Sequence, residues 1–259
     1  MANNSIPVAA PIDSDSAGRG GATAINAVMR VICPTTNSSG TGFLHKSGKI
    51  ITAEHVVRGV SQATLLLSSG AQLAGRVVAT DQDLDLALID PATPITVAPL
   101  QLAPVQQFAI GAHVSTWGFP GGYLGYSPML SAGYLSAITA HQSKSGKVVR
   151  QWVVNAAFNS GNSGGPLLLI ETGEVIGVAS SKLAPISQEA ASAIEALETN
   201  RSGVTYSATN PDGTTMMLVE GQIVAMVLQE LRRQVQLVIG HAVLLDDVHA
   251  FLKANGVIP

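Results

Sequence analysis

Cysteine and charge are both scarce in this sequence. The single cysteine, Cys33, excludes an intrachain disulfide, and with no CxxC context it offers no redox or zinc motif. It lies in an apolar stretch, Val28-Met29-Arg30-Val31-Ile32-Cys33, and so reads as an inert core thiol. Charged residues are only 12% of the chain and the net charge is −3, which leaves no electrostatic footprint for nucleic acid. The six histidines are scattered without ligand spacing, so neither a metal nor a cofactor is expected. No apolar run reaches the roughly 18 residues of a membrane span. Met1-Ala2-Asn3-Asn4-Ser5 has no basic start and no apolar core behind it, so no secretory leader is expected. A full-length chain of this kind would be cytoplasmic.

Glycine is plentiful (26 residues), and Val, Ile, Ala and Thr recur in short runs bounded by turn residues. That pattern favours an all-β sandwich or barrel over a helical bundle. A chain of 259 residues is long enough for one large domain or two fused lobes. Residues 1–21, rich in Ala, Pro, Ser, Asp and Gly, read as a flexible tail. Residues 91–111 carry several prolines and weak periodicity, and read as the link between lobes.

One stretch organises the rest: Asn159-Ser160-Gly161-Asn162-Ser163-Gly164-Gly165-Pro166-Leu167. A serine among small, turn-forming residues can be held out in a cleft, while the N–H groups of Gly161, Asn162 and Ser163 converge on developing negative charge. Leu167-Leu168-Leu169-Ile170 then reads as a buried strand that anchors the turn. A serine hydroxyl is a weak nucleophile at neutral pH and needs a histidine and a carboxylate.

GNSGGPL resembles the nucleophile segment of trypsin-like serine peptidases, particularly the HtrA (Deg) type. Gly40-Thr41-Gly42-Phe43 and Thr52-Ala53-Glu54-His55 resemble the first hairpins of those enzymes. Asp85-Leu86-Ala87-Leu88 resembles the strand that follows their catalytic aspartate, and Trp117-Gly118-Phe119-Pro120 their Gly-x-Pro turn. The resemblance implies two antiparallel six-stranded β-barrels, residues 22–110 and 111–245. A C-terminal helix over 246–256 is read from the residues, with Asp246 as its cap and Gly256 as its stop. The resemblance also implies His55, Asp85 and Ser163 as catalytic residues, with the activity of a serine endopeptidase on protein or peptide substrates.

By the same pattern Ala157 lies at the base of the specificity pocket and Phe158 and Val178 wall it. Substrate would add as a strand along Val178-Ala179-Ser180. An alanine at the base leaves no partner for a buried cation, so cleavage is expected after small or medium apolar residues. His241 stands where the resemblance expects an aromatic, and in protonated form it would favour glutamate instead.

Two stretches depart from the β pattern. Residues 187–199, with Ser187 as N-cap, and residues 222–233 each have one apolar helical face, and they read as two insertions that either gate the site or dock a partner, or simply pack on the surface. The chain ends directly after its last helix, so no PDZ domain is expected. No aromatic precedes Phe43, where family trimers use one, so an oligomer is possible but not indicated. Two other functions remain open on the sequence: a catalytically silent binding or scaffold module, and a hydrolase of small esters.

Overall fold

The computed structural model describes residues 21–105, 107–143, 145–180, 188–209, 213–234 and 239–259. The expected tail, residues 1–20, and the expected N-cap Ser187 lie outside these. The described residues open with a short helix that had not been expected, α1 (Gly21–Ala27), directly before the first strand at Val28, close to the strand start expected near Ala27. The alanine-rich GATAINA favours a helix, and the turn buries Ala24 and Ala27 against the first barrel.

Strands β1 (Val28–Cys33), β2 (Ser38–Leu44), β3 (Ile50–Thr52), β4 (Gln62–Leu66), β5 (Gln72–Asp81) and β6 (Leu86–Pro91) close into an antiparallel barrel in the order β1-β2-β3-β6-β5-β4. A one-turn helix, α2 (Glu54–Val57), interrupts it after β3. The second barrel is built from β7 (His113–Gly118), β8 (Met129–Gln142), β9 (Val148–Val154), β10 (Pro166–Leu169), β11 (Val175–Ala179) and β14 (Gly240–Leu244). Its order is β10-β11-β14-β9-β8-β7. The first core holds Met29, Phe43, Ile50, Ile51, Leu65, Leu86 and Ile89, and the second Val114, Leu135, Trp152, Val154, Leu167 and Ile176. Phe119, Leu168, Val175, Val178 and Val243 of the second barrel join the first cluster, so apolar packing runs across the junction between lobes. Cys33 is buried at 0% exposure, and burial raises the pKa of its thiol, as an inert core residue requires.

The C-terminal helix α5 (Leu245–Ala254) buries Val248, Phe251 and Leu252. Asp246 does not cap it. Strand β14 runs straight into the helix, so the extended residue Leu244 occupies the N-cap position with no side-chain bond, and Asp246 falls in the first turn.

Between β11 and β14 the two expected insertions form one unit rather than two. Helices α3 (Gln188–Thr199) and α4 (Glu220–Gln234) pack on each other, and Gln222 Nε2 donates to the Glu198 carbonyl at 3.2 Å. A hairpin, β12 (Thr205–Thr209) and β13 (Thr215–Val219), joins them.

His45, which follows β2, is 1% exposed, and its Nδ1 accepts from the Ser47 N–H at 3.2 Å. Burial, with Lys46 and His249 adding like charge, lowers its pKa from 6.5 to about 4. Between those values the unfolded chain binds a proton that the folded chain refuses, so stability is lost as pH falls through that window. The loss totals about 3 kcal/mol. Urea unfolding at pH 7 and pH 4 should show it, and His45→Gln should lose less stability than the wild type over the same interval.

Candidate active site

The β3 strand delivers Thr52 and Ala53 to the cleft, and α2 turns His55 back toward the hairpin between β5 and β6. Asp85 ends that hairpin with φ of 58°, in the left-handed region that Asp tolerates better than most residues. The twist aims its carboxylate at His55. Oδ1 accepts the His55 backbone N–H at 3.0 Å, and Nδ1 stands 2.9 Å from Oδ1 and 2.8 Å from Oδ2. A ring nitrogen facing a carboxylate must carry the proton, which leaves Nε2 as the acceptor. The Ser180 hydroxyl donates to Oδ2 at 2.6 Å. Burial pushes the Asp85 carboxyl up, but the His55 hydrogen bond and charge, the Ser180 hydroxyl and the His55 N–H outweigh it and hold the group below the usual carboxylate range.

Ser163 is 3% exposed, on a turn packed against the segment before His55. A Cβ on Gly164 would stand 2.4 Å from Thr52 Oγ1 and 2.6 Å from the Ala53 nitrogen. Four successive carbonyls of this turn are pinned. Ser160 C=O accepts from Gly121 N–H (2.7 Å), Gly161 C=O from the Thr41 hydroxyl (2.6 Å), Asn162 C=O from Gly165 N–H (2.9 Å), and Ser163 C=O from Thr41 N–H (2.8 Å). In a planar trans peptide the N–H points opposite to its carbonyl. The Ser160 and Asn162 pins therefore fix the directions of the Gly161 and Ser163 N–H groups. Asn162, expected as a third oxyanion donor, is committed elsewhere. Its N–H donates to the Asn159 carbonyl at 3.0 Å and its side-chain amide to the Ala157 carbonyl at 3.2 Å.

Gly164 has φ of 85°, and a Cβ there would also stand 2.2 Å from the Thr41 carbonyl oxygen. Gly164→Ala combines a disfavoured backbone conformation with overlap onto backbone atoms, so it should cost about 3 kcal/mol or more. Thermal unfolding of the variant checks this.

Of the expected pocket residues, Val178 and Ala179 do not offer the strand edge foreseen for substrate. Phe158 is 4% exposed and its ring lies against Gly240, where a Cβ would come within 2.3 Å of it. Ala157 and His241 are half-buried. Val178 and Ala179 offer no free edge for an added strand: Val178 pairs with Pro166 on one side and Val243 on the other. Ala179 bonds the Ser163 turn through both its N–H and its carbonyl, and Ser180 N–H donates to the His241 carbonyl at 2.8 Å. An added strand can only begin beyond the Ser180 N–H, and residues 181–187 lie outside the described ones. Sequence reading missed the Ser180 hydroxyl as a partner of Asp85. A serine at a strand end carries no local signal of a bond to a residue so far back in the chain.

Residues 40–178 match the family described as the trypsin-like peptidase domain. The chain belongs to that family. Among its relatives, Protease Do-like 1, chloroplastic, of Arabidopsis thaliana is 32% identical over 152 residues, covering 57% of this chain and 34% of the relative. The periplasmic serine endoprotease DegP of Salmonella typhimurium is 32% identical over 142 residues, covering 53% and 28%. The chain thus spans about a third of the length of the relatives it matches. Among solved structures, the Rv3671c protease of M. tuberculosis in its active form superposes with a TM-score of 0.61 at 19% identity, covering 100% of this chain and 95% of that one. An HtrA-type protease, AlgW, solved with a tripeptide, gives 0.57 at 21% identity, covering 75% and 69%. At those identities the two structures show a shared peptidase fold and nothing finer. The expectation of a cytoplasmic location is overturned, because several relatives of this peptidase domain are named as periplasmic or chloroplastic proteins. Among the described residues no helix is long and apolar enough to cross a membrane, and no group of three or more His, Cys, Asp or Glu is placed to hold a metal.

Proposed function

We propose that this chain is a serine endopeptidase of HtrA type, with Ser163 as nucleophile, His55 as general base and Asp85 as the group that orients it. The observation that carries this reading is the Asp85 carboxylate, held at once by His55 Nδ1, the His55 N–H and the Ser180 hydroxyl beside the Ser163 turn. Nε2 takes the Ser163 proton as Oγ attacks the carbonyl carbon of the peptide bond. The oxyanion is received by the Gly161 and Ser163 N–H groups, whose peptide planes are already fixed and need no reorganisation during the step. His55 then returns the proton to the leaving amine, and water releases the acyl group by the same route in reverse.

Cleavage follows small or medium apolar residues. Ala157 supplies no charge, and the Phe158 ring on Gly240 takes up space that a long side chain would need. The names of the relatives support a compartment outside the cytoplasm and protein substrates. Cleavage sites mapped in a mixture of unfolded proteins test the specificity. Sites after Ala, Val, Ile or Leu are expected, and dominant cleavage after Arg or Lys would overturn the pocket assignment. A fluorophosphonate probe tests the chemistry: labelling should fall on Ser163, and an unlabelled folded protein would return the chain to the scaffold reading.

A further inference from the structure

Resting on the peptidase reading above, we propose that Thr41, a residue of the first barrel, is a positioning residue for the oxyanion turn of the second. Thr41 is completely buried, and each of its polar groups crosses to another segment. Its N–H donates to the Ser163 carbonyl at 2.8 Å. Its carbonyl accepts from the Thr52 hydroxyl at 2.7 Å. Its own hydroxyl donates to the Gly161 carbonyl at 2.6 Å and accepts from the Phe119 N–H at 3.1 Å. One residue thus ties together the nucleophile turn, the Phe119–Gly121 turn after β7, and the strand leading to His55, the first two through its hydroxyl and the third through its backbone carbonyl.

This matters because Gly161 cannot hold its own conformation. With φ of 99° and no Cβ it can rotate at little steric cost, and the peptide planes on either side of it turn with it. Three bonds hold those planes. Gly121 N–H holds the Ser160 carbonyl on one side, and on the other the Thr41 hydroxyl holds the Gly161 carbonyl while Asn162 N–H donates to the Asn159 carbonyl. The Thr41 oxygen also steadies the first of these, because by accepting from Phe119 N–H it anchors the turn that carries Gly121. The fit is close: a Cβ on Gly161 would stand 2.2 Å from the Phe119 carbonyl oxygen, and one on Gly118 would stand 2.9 Å from Thr41 Oγ1. Removing the hydroxyl leaves a buried N–H and a carbonyl without a partner and loosens both planes, the first through the Phe119–Gly121 turn and the second directly, so that the Gly161 N–H is aimed less firmly at the oxyanion. Substrate does not touch Thr41, so its effect falls on the chemical step and not on binding.

The test compares Thr41→Val, which keeps the shape and removes the hydroxyl, with Thr41→Ser, which keeps the hydroxyl. The readouts are kcat and KM on a peptide substrate, the rate constant of fluorophosphonate labelling, and the thermal midpoint. Thr41→Val should lower kcat and the labelling rate by about tenfold or more with KM nearly unchanged, a part of the effect of losing an oxyanion donor outright. Thr41→Ser should stay within about twofold of the wild type in both rates. If Thr41→Val does not fold, Thr41→Ser against Thr41→Ala makes the same comparison at matched size. A folded hydroxyl-free variant that labels and turns over like the wild type overturns the proposal, as does an equal loss in the serine variant. Failure of the peptidase reading looks different: the wild type itself would be unlabelled, or Ser163→Ala would retain its activity.

Discussion

Ser163→Ala and His55→Ala should each reduce peptide hydrolysis by at least about ten-thousand-fold while the protein stays folded. The two groups act on one proton, so the loss of either is nearly the loss of both, and the double variant should be little worse than the single ones. Neither substitution disturbs packing. The Ser163 carbonyl bond to Thr41 uses only backbone on the Ser163 side, and alanine keeps it. The His55 side chain is one-third exposed, so its removal opens no sealed cavity. Steady-state turnover of a peptide substrate, beside circular dichroism and a thermal midpoint, measures both halves of the expectation. Wild-type turnover by a folded Ser163→Ala protein would end the assignment.

Asp85→Asn should lower kcat by about a thousandfold to ten-thousandfold with KM little changed. The amide is close to the carboxylate in shape and tolerates the φ of 58° found here, so the backbone stays in place. Its NH2 group cannot accept the three donors that now converge on Asp85, namely Nδ1–H, the His55 N–H and the Ser180 hydroxyl. One of them must turn away, and the imidazole then loses the tautomer that leaves Nε2 free to take a proton. Asp85→Ala should fall as far in kcat and also lose stability, because alanine does not favour a left-handed backbone. The pH dependence of stability follows from the lowered carboxyl pKa. The Asp85 contribution is present above the unfolded value and disappears as pH falls through the lower folded value. Asp85→Asn should therefore show a flatter loss of stability on the acid side of the unfolded carboxylate range, and acid unfolding curves of the two proteins measure it.

The three acids near β6 show where sequence reading reaches its limit. Composition does not separate Asp81, Asp83 and Asp85, and only the resemblance singled out the last. In the structure Asp81 accepts the N–H groups of Asp83 and Leu84 at 3.0 and 2.9 Å, closing its own turn, and Asp83 accepts the Ser145 hydroxyl at 2.6 Å. Asp85 alone turns inward. The hairpin from β12 to β13 was legible and was overlooked. Thr205–Thr209 and Thr215–Val219 are β-favouring runs on either side of Asn210-Pro211-Asp212-Gly213, a strong turn signal.

By itself the sequence determined whatever depends on neighbours along the chain. Short β-branched runs between glycines specify strands, apolar periodicity specifies helices α3 and α4, a glycine stop marks the end of α5, and the glycines around Ser163 specify a turn with positive φ. Local sterics and a repeating burial pattern are enough for each of these. The tertiary structure alone decided which groups meet. Ser180 reaches Asp85, Thr41 reaches Gly161, and β11 takes strands on both edges and so has none left for substrate along Val178-Ala179. A threonine in a strand, or a serine at the end of one, has the same local propensity whether it faces water or the other barrel. Its partner is set by closing two barrels against each other, which brings together residues far apart in the chain, and no local pattern records that pairing.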